Sequence, residues 1–162
     1  MNLNIQPAKY SEKHLLRKML ELCVYDLSEF DDRDLNKFGE YGYRYLDCYW
    51  IESKRYPFII RVNNNLAGFV LINQSVHNLE AEWAIAEFFV LKKYRQQKIG
   101  KQTAFFMFDR FPGVWEIGIL LNNLVAKAFW QKIIQQYDSQ NTRKQIENIE
   151  QCKVFWTFSS KE

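Results

Sequence analysis

Two apolar segments joined by three consecutive asparagines constrain the fold of this chain most strongly. The segments Tyr56–Val62 (YPFIIRV) and Leu66–Ile72 (LAGFVLI) have the composition of β-strands, and residues 63–65 (NNN) lie between them. Asparagine favours turns because it tolerates a left-handed backbone and its side chain bonds to nearby backbone groups. The pattern therefore predicts a β-hairpin. Gly68, inside the second strand, indicates a bulge or a close approach of another backbone segment.

The other apolar patterns extend this hairpin into a mixed α/β sheet. Four further strands are predicted, at Asn2–Ile5, Glu82–Leu91, Val114–Leu121 and Cys152–Ser160. Apolar residues at helical spacing predict a helix with Ser11 as its N-cap, a helix from Ala104 to Phe111 that ends at Pro112-Gly113, and a helix from Val125 to Tyr137. One or two more helices with loops are expected within Asp26–Arg55. The order is β-α-(α)-β-β-β-α-β-α-β, and residues 1–162 are expected to form one domain.

The composition indicates a globular protein and disfavours several other classes. The chain has 162 residues, of which 48% are hydrophobic and 25% charged, and a net charge of +3 that is too small to suggest nucleic-acid binding. It has no apolar signal-peptide core, and no segment approaches the ~18 apolar residues of a membrane span. Its three cysteines have neither the number nor the spacing of a disulfide framework or a zinc site. We therefore expect a soluble cytoplasmic protein with no metal, no nucleic-acid partner and no membrane partner.

The segment 94–104 (YRQQKIGKQTA) leads from a predicted strand into a predicted helix. A turn at such a place presents free backbone N–H groups and the positive end of the helix dipole, which bind phosphate whatever the side chains are. Arg95, Lys98 and Lys101 add positive charge. By itself the pattern is more typical of an ordinary basic loop before a helix.

The residues around this turn resemble motif A of the GNAT superfamily of acyl-CoA-dependent N-acyltransferases, a strand followed by R/Q-x-x-G-x-G/A at a helix start. Arg95 takes the first place of the pattern, Lys98 replaces the first glycine, and Gly100 is the second. Lys98 in that position does not abolish an anion site, because the amides and the helix start hold the anion, and it adds a cation near the pyrophosphate if its side chain points outward with φ below zero.

Two other segments add to the resemblance, which covers roughly residues 56–137. The segment NNLVAKAFWQKI is similar to the family pattern N-x-x-A-x-x-F-Y: Asn123, Ala126 and Phe129 match, and Trp130 stands where tyrosine is usual. The segment NLAGFVLI is similar to the family's second hairpin strand, including its glycine. The resemblance implies a mixed, mostly antiparallel central sheet flanked by helices.

The resemblance also implies that acetyl-CoA is the cosubstrate. The pyrophosphate would lie on the amides of the turn 96–101, the pantetheine arm would follow the strand near Phe89, and the N–H of Val90 would polarise the thioester carbonyl. Asn123 would bond the pantetheine arm, cap the following helix, or do both. The residues that the resemblance assigns to acetyl-CoA are Phe89, Val90, Leu91, Arg95, Gln96, Gln97, Lys98, Ile99, Gly100, Lys101, Asn123 and Phe129.

Glu87 is the candidate general base. It interrupts an apolar strand, and simple alternation places it on the same face as Trp83, Ile85 and Phe89. Apolar neighbours raise the pKa of a carboxyl group toward the range useful for a base at neutral pH, and many members of the superfamily carry a catalytic glutamate at the matching position. The alternative is a structural carboxylate paired with a lysine or a backbone amide.

The residue that protonates the leaving thiolate is left open. The indole of Trp130 cannot donate a proton at accessible pH, and its helical spacing suits a core residue. Tyr94 and Tyr137 are conceivable donors, or no donor is needed. His14, on a helix, and His77, in a polar loop, are expected to be solvated.

The acceptor region is expected between the first helix and the hairpin, as it commonly is in the GNAT fold. The segment 25–34 carries five carboxylates, and the segment 38–58 is rich in aromatic residues. Together they would attract a cationic amine and remove it from water, with Asp26 and Glu29 as its contacts. A solvated acidic loop followed by ordinary aromatic packing is the alternative.

These features favour an enzyme that transfers acetyl from acetyl-CoA to a primary amine, carried by a small molecule or a protein, by direct attack. The alternative is a CoA-binding sensor or interaction module that keeps the fold and has lost turnover, which Lys98 and Trp130 favour. Nucleic-acid binding is disfavoured because the aromatic-rich region is also the acidic one. A homodimer is compatible with the exposed strand edges common in this fold.

Overall fold

The computed structural model describes residues 1–137, 144–148 and 150–160. Its strands are β1 Leu3–Pro7, β2 Arg55–Val62, β3 Asn65–Asn73, β4 Trp83–Val90, β5 Val114–Leu120, β6 Lys144–Asn148 and β7 Lys153–Ser159. Its α-helices are α1 Lys13–Leu27, α2 Cys48–Ile51, α3 Ile99–Arg110 and α4 Leu124–Tyr137. The strands form one sheet in the order β1-β2-β3-β4-β5-β7-β6. Only β4 and β5 are parallel, which confirms the predicted mixed, mostly antiparallel sheet flanked by helices.

The hairpin predicted from the three asparagines is present as β2 and β3. Asn63 and Asn64 adopt left-handed φ angles of 49° and 66°, which asparagine tolerates better than most residues. Both expectations for Gly68 are confirmed. The β2–β3 register shifts beside it, and a Cβ atom on Gly68 would overlap the carbonyl oxygen of Phe89.

The helices cover the two faces of the sheet with separate apolar clusters. On one face, α3 and α4 pack on Val70, Ile72 and Ile117. On the other face, α1 and α2 pack on Phe69 and Leu71, the alternate residues of β3. The alternation follows from the two-residue period of a strand.

Strands β4 and β5 pair over only three residues each and then diverge. Trp83–Ile85 pair with Trp115–Ile117, whereas residues 87–90 of β4 pair only with β3, and residues 118–120 of β5 pair only with β7. The second edge of β4 therefore faces a gap near the carboxyl end of the strand. This gap positions the candidate site.

Three expectations about the elements were wrong or incomplete. Ser11 is not the N-cap of α1, because it lies inside a short 3-10 turn, Tyr10–Glu12, that precedes the helix. Within Asp26–Arg55, the part after α1 holds only the single-turn α2, and Gly39 and Gly42 have positive φ angles that interrupt a helix. Strand β6 was not predicted, since its sequence KQIEN has a single apolar residue.

Within the residues described, none of the helices has the length and apolarity needed to cross a membrane.

Candidate active site

The basic turn has the geometry of an anion site. Helix α3 begins at Ile99, and its first intrahelical bond runs from the Gln102 amide to the Lys98 carbonyl, at 3.0 Å. The amides of Ile99, Gly100 and Lys101 come before that bond and have no acceptor among the described residues. Three N–H groups at a helix start, with the positive end of its dipole, can hold a phosphate.

The backbone of the turn differs from the expectation. Lys98 has a φ of 63°, not a negative one, and Gln96 has a φ of 62°. The chain passes from the 3-10 turn Lys92–Tyr94 into α3 through these two left-handed residues, so Lys98 takes on the conformation that glycine adopts most easily. Gly100 is helical, and its lack of a side chain matters for packing: a Cβ atom there would lie 3.1 Å from the Phe129 ring of α4.

Arg95 connects the turn to β4 and to α1 by hydrogen bonds. Its Nε donates to the Val90 carbonyl at 2.7 Å, and its guanidinium donates to Asp26 Oδ2 at 2.6 Å. Lys92 lies 3.5 Å from the same carboxylate. Asp26, assigned to the acceptor amine from the sequence, is thus paired with the cations of the turn, while Glu29 is exposed just beyond α1. Their contact with an acceptor stays a prediction.

The end of β4 presents backbone groups to the gap beside β5. The Leu91 amide donates to the Ala67 carbonyl at 2.8 Å, so the facing residues Gly68 and Val90 form a non-hydrogen-bonded pair. The N–H and C=O of Val90 therefore point away from β3 and into the gap. The carbonyl accepts a hydrogen bond from Arg95, and the contact of the N–H with a thioester stays a prediction.

Glu87 shares a face with Phe89, as alternation predicts, but not with Trp83 and Ile85. Leu71 faces Glu87 while the next residue, Ile72, faces Ile85, so Ala86 is an extra residue in β4. This bulge sends Ile85 into the cluster beneath α3 and α4. Glu87 and Phe89 face α1 instead.

The carboxyl group of Glu87 is held in a desolvated environment beside α1. Its Oε2 lies 4.0 Å from the Sγ of Cys23, and it forms no ion pair with any described residue. Burial raises the pKa of Glu87 from 4.5 to about 7, although Lys153 and Arg33 oppose the increase. Such a group exists in both protonation states at neutral pH and can accept a proton.

Tyr43 belongs to the same environment and was not singled out from the sequence. Burial raises its pKa, and the nearby Glu87 carboxylate raises it further. Its hydroxyl therefore stays neutral beside Glu87. The signal for it was the aromatic segment 38–58, which does not distinguish one ring from another.

The residues considered as proton donors for the thiolate have structural roles. Trp130 is a core residue, with its ring 5.0 Å from the rings of Phe88 and Phe129. The Tyr137 hydroxyl donates to Asp109 at 2.6 Å, between α3 and α4. Tyr94 is buried against Ile99.

Two asparagine side chains near the site form hydrogen bonds with backbone groups. Asn123 Oδ1 accepts a hydrogen bond from the Ala126 amide at 3.0 Å, so the predicted N-cap of α4 is present. Asn122 Nδ2 donates to the Phe30 carbonyl at 2.8 Å, which ties the loop after α1 to the start of α4.

His14 is exposed, as expected, whereas His77 is not simply solvated. The His77 ring lies 3.2 Å from Glu116 and stacks on Phe155 at 4.4 Å. Among the described residues, no group of three His, Cys, Asp or Glu side chains is placed to hold a metal ion.

Residues 17–134 match the model of the acetyltransferase (GNAT) family. The chain belongs to that family. This GNAT protein is therefore an acetyl-CoA-dependent acyltransferase, and the turn at α3 and the gap beside β4 lie within the matched residues. A search of curated protein sequences finds no significant match.

Solved structures share the fold of this GNAT protein at low sequence identity. An acetyltransferase from Thermus thermophilus has a TM-score of 0.74 and 14% identity, over 98% of this chain and 97% of that one. A ribosomal L7/L12 alpha-N-protein acetyltransferase in complex with coenzyme A has a TM-score of 0.67 and 11% identity, over 98% and 94%. The protein yncA from Salmonella typhimurium, with its cofactor acetyl-CoA, has a TM-score of 0.66 and 10% identity, over 99% and 95%.

Proposed function

We propose that this protein transfers acetyl from acetyl-CoA to a primary amine by direct attack, with Glu87 as the general base. The observation that carries the proposal is the position of Glu87. The carboxyl group lies on the α1 face of β4, its pKa is raised to about 7, and it is three residues from Val90, whose N–H points into the gap. A base and a carbonyl-polarising donor on one strand are what acyl transfer to an amine needs.

Acetyl-CoA would bind along the end of β4 and over the turn. The free amides at the start of α3, with Lys98 and Lys101, suit the pyrophosphate, and the backbone of β4 from Phe89 to Leu91 suits the pantetheine arm. Two of the structural neighbours are described with coenzyme A or acetyl-CoA, which agrees with this use of the fold.

The reaction then needs one base and one oxyanion donor. Glu87 accepts a proton from the acceptor ammonium, and the neutral nitrogen attacks the thioester carbon. The Val90 N–H stabilises the negative charge that develops on the carbonyl oxygen. The C–N bond forms, the C–S bond breaks, and the sulfur leaves as a thiolate. The nitrogen then loses its extra proton to that thiolate or to water, which leaves a neutral amide, and Glu87 returns its own proton to water. Because a thiol has a pKa of about 8.5, the thiolate can leave without a dedicated acid.

The acceptor is a small-molecule or protein amine. It would approach from the α1 face, where Glu87, Tyr43 and Tyr49 lie. One structural neighbour is named as a ribosomal L7/L12 alpha-N-protein acetyltransferase, so a protein with this fold can have a protein acceptor. Protein amines are therefore tested as acceptors together with small amines.

A CoA-binding module without turnover is the second candidate, and one observation favours it. Trp130 occupies a core position where the family has a tyrosine, the Tyr137 hydroxyl donates to Asp109, and Tyr94 is buried in a separate apolar cluster. In this case acetyl-CoA would bind and no amine would be acetylated.

An amine-panel assay that measures CoA release, combined with calorimetric titration of acetyl-CoA, separates the two candidates. We expect binding of acetyl-CoA and CoA release with at least one amine, and loss of that release in Glu87→Gln with binding retained. Binding without release on any amine favours the module. Absence of binding contradicts both candidates.

A further inference from the structure

Three polar side chains, those of Tyr49, Arg55 and Asn73, lie together on the α1 face and keep part of their hydrogen-bonding capacity. The Tyr49 side chain in α2 is 3% exposed, and its hydroxyl has no hydrogen-bond partner among the described residues. Leaving a buried hydroxyl unpaired costs roughly 1–3 kcal/mol unless a ligand or water supplies the partner. A ligand or a water that bonds to this hydroxyl would therefore be favoured.

Arg55 places a cation against the same ring. Its guanidinium lies 5.5 Å from the Tyr49 ring and 5.4 Å from the Tyr45 ring, and its side chain is only 14% exposed. Its Nε donates to Glu52 at 2.6 Å, and the guanidinium also interacts with the Tyr49 hydroxyl, while its terminal nitrogens form no ion pair with a described residue. A guanidinium whose terminal nitrogens form no ion pair presents the fork that matches a carboxylate.

Asn73 completes the group from the neighbouring strand. It faces Arg55 directly in the β2–β3 register and is 8% exposed. Its Oδ1 accepts from the Ser75 amide at 3.0 Å, and its side chain also interacts with the Tyr49 hydroxyl. Burial raises the pKa of Tyr49, and Tyr43, Arg55 and Asn73 each oppose that increase, which places all three around its hydroxyl.

This group lies on the same face as Glu87, at a short distance along the sheet. Leu71 faces Glu87, and Asn73 is two residues further along β3 on the same side. Two residues of a strand span roughly 7 Å. Val90 lies in the opposite direction from Glu87, so the order along the face is thioester contact, base, and then the donor group.

We propose that Arg55, Tyr49 and Asn73 form a carboxylate-binding subsite for the acetyl acceptor. The acceptor is therefore a small amine that carries a carboxylate, such as an amino acid, with its amine at Glu87 and its carboxylate at Arg55. The acidic segment does not oppose this assignment, since Asp26 and Asp31 are already paired with Arg95 and Arg33. The inference rests on the proposed function, because it takes Glu87 as the position of the amine.

The subsite can be tested by binding alone, without turnover. Protein saturated with CoA is titrated by calorimetry with the twenty amino acids, β-alanine, 4-aminobutanoate and O-phosphoethanolamine, and with the carboxamide of each acid. We expect at least one free acid to bind about 10-fold or more tightly than its carboxamide, the ratio that a charge-assisted contact provides. Tighter binding of O-phosphoethanolamine than of every acid would overturn the choice of carboxylate.

Two variants and one control make the test specific. Arg55→Met should abolish the preference for the acid. Tyr49→Phe should reduce it several-fold without loss of stability, because the hydroxyl has no described partner to lose, so it keeps the test valid if Arg55→Met does not fold. The matched control is Arg44→Met, since Arg44 also lies over the Tyr45 ring, at 5.6 Å, but is exposed.

The outcomes distinguish the subsite from the proposed function. The subsite is overturned if no acid binds better than its carboxamide, or if the preference survives Arg55→Met. Preferential binding of an acid without any CoA release from acetyl-CoA contradicts the transferase and leaves the subsite standing. CoA release at equal rates with acids and with their carboxamides contradicts the subsite and leaves the transferase standing.

Discussion

Ile85 and Glu87 are two residues apart in β4, yet their side chains lie on opposite faces of the sheet. The cause is the extra residue Ala86, at which the β3–β4 register shifts. Without this bulge Glu87 would point toward α3 and α4, into the largest apolar cluster. With it, the carboxyl group lies beside Cys23 of α1, on the face where the acceptor would enter.

The buried carboxyl group should make the protein less stable at high pH. The folded-state pKa of Glu87, about 7, is above its ordinary 4.5, so this group's contribution to the free energy of unfolding is greatest below 4.5 and is lost as the pH rises through 7. Glu87→Gln stays neutral, and we expect it to be more stable than the wild type at pH 8, by at most about 3 kcal/mol, and equal to it near pH 4.5. Urea unfolding at the two pH values measures this.

An exposed carboxylate provides the control for that measurement. Glu40→Gln removes the same charge from the surface and should leave the pH dependence of stability unchanged. Equal effects of the two substitutions at both pH values would mean that Glu87 is not desolvated.

Replacement by glycine should change the free energy of unfolding in opposite directions at Lys98 and at Lys101. Lys98 has a left-handed φ of 63°, so Lys98→Gly removes strain and should stabilise the protein by about 1 kcal/mol. Lys101 is helical, and Lys101→Gly should destabilise it by about 1 kcal/mol. Both variants lose one charge from the turn, so both should bind acetyl-CoA somewhat more weakly. Chemical unfolding and calorimetry give the two quantities, and destabilisation by Lys98→Gly would contradict the left-handed backbone.

Replacing Trp130 should lower the stability of the protein and should not change protonation of the leaving thiolate. Its ring packs between Phe88 and Phe129 in the core, so Trp130→Phe leaves a cavity and should lower the free energy of unfolding by about 2 kcal/mol. The pH dependence of kcat should not change. A shift of its alkaline limb in this variant would show that the indole position takes part in the protonation step.

Much of the scaffold could be predicted from local sequence patterns. The hairpin follows from Asn63 and Asn64, and the close approach at Gly68 follows from a glycine inside an apolar strand. The anion site follows from a strand, a basic turn and a helix, since helix amides attract phosphate without help from any particular side chain.

Other features depend on contacts between distant parts of the chain. The bulge at Ala86 is a property of the β3–β4 pairing, and nothing in EWAIAEFFVL marks it. Strand β6 has one apolar residue and forms because β7 offers it a partner. The pairing of Asp26 with Arg95 joins residues 69 positions apart. Among many aromatic residues, only the tertiary structure places Tyr43 and Tyr49 beside Glu87 and Arg55.

The pH dependence of kcat/KM for acetyl transfer, in the wild type and in Glu87→Gln, tests the central claim most directly. The measurement uses the best acceptor found in the amine panel and follows CoA release. If Glu87 is the base, the wild-type value falls below a pKa near 7, and Glu87→Gln is slower by about 100-fold or more and lacks that inflection. An unchanged rate with the same inflection in Glu87→Gln would contradict the account.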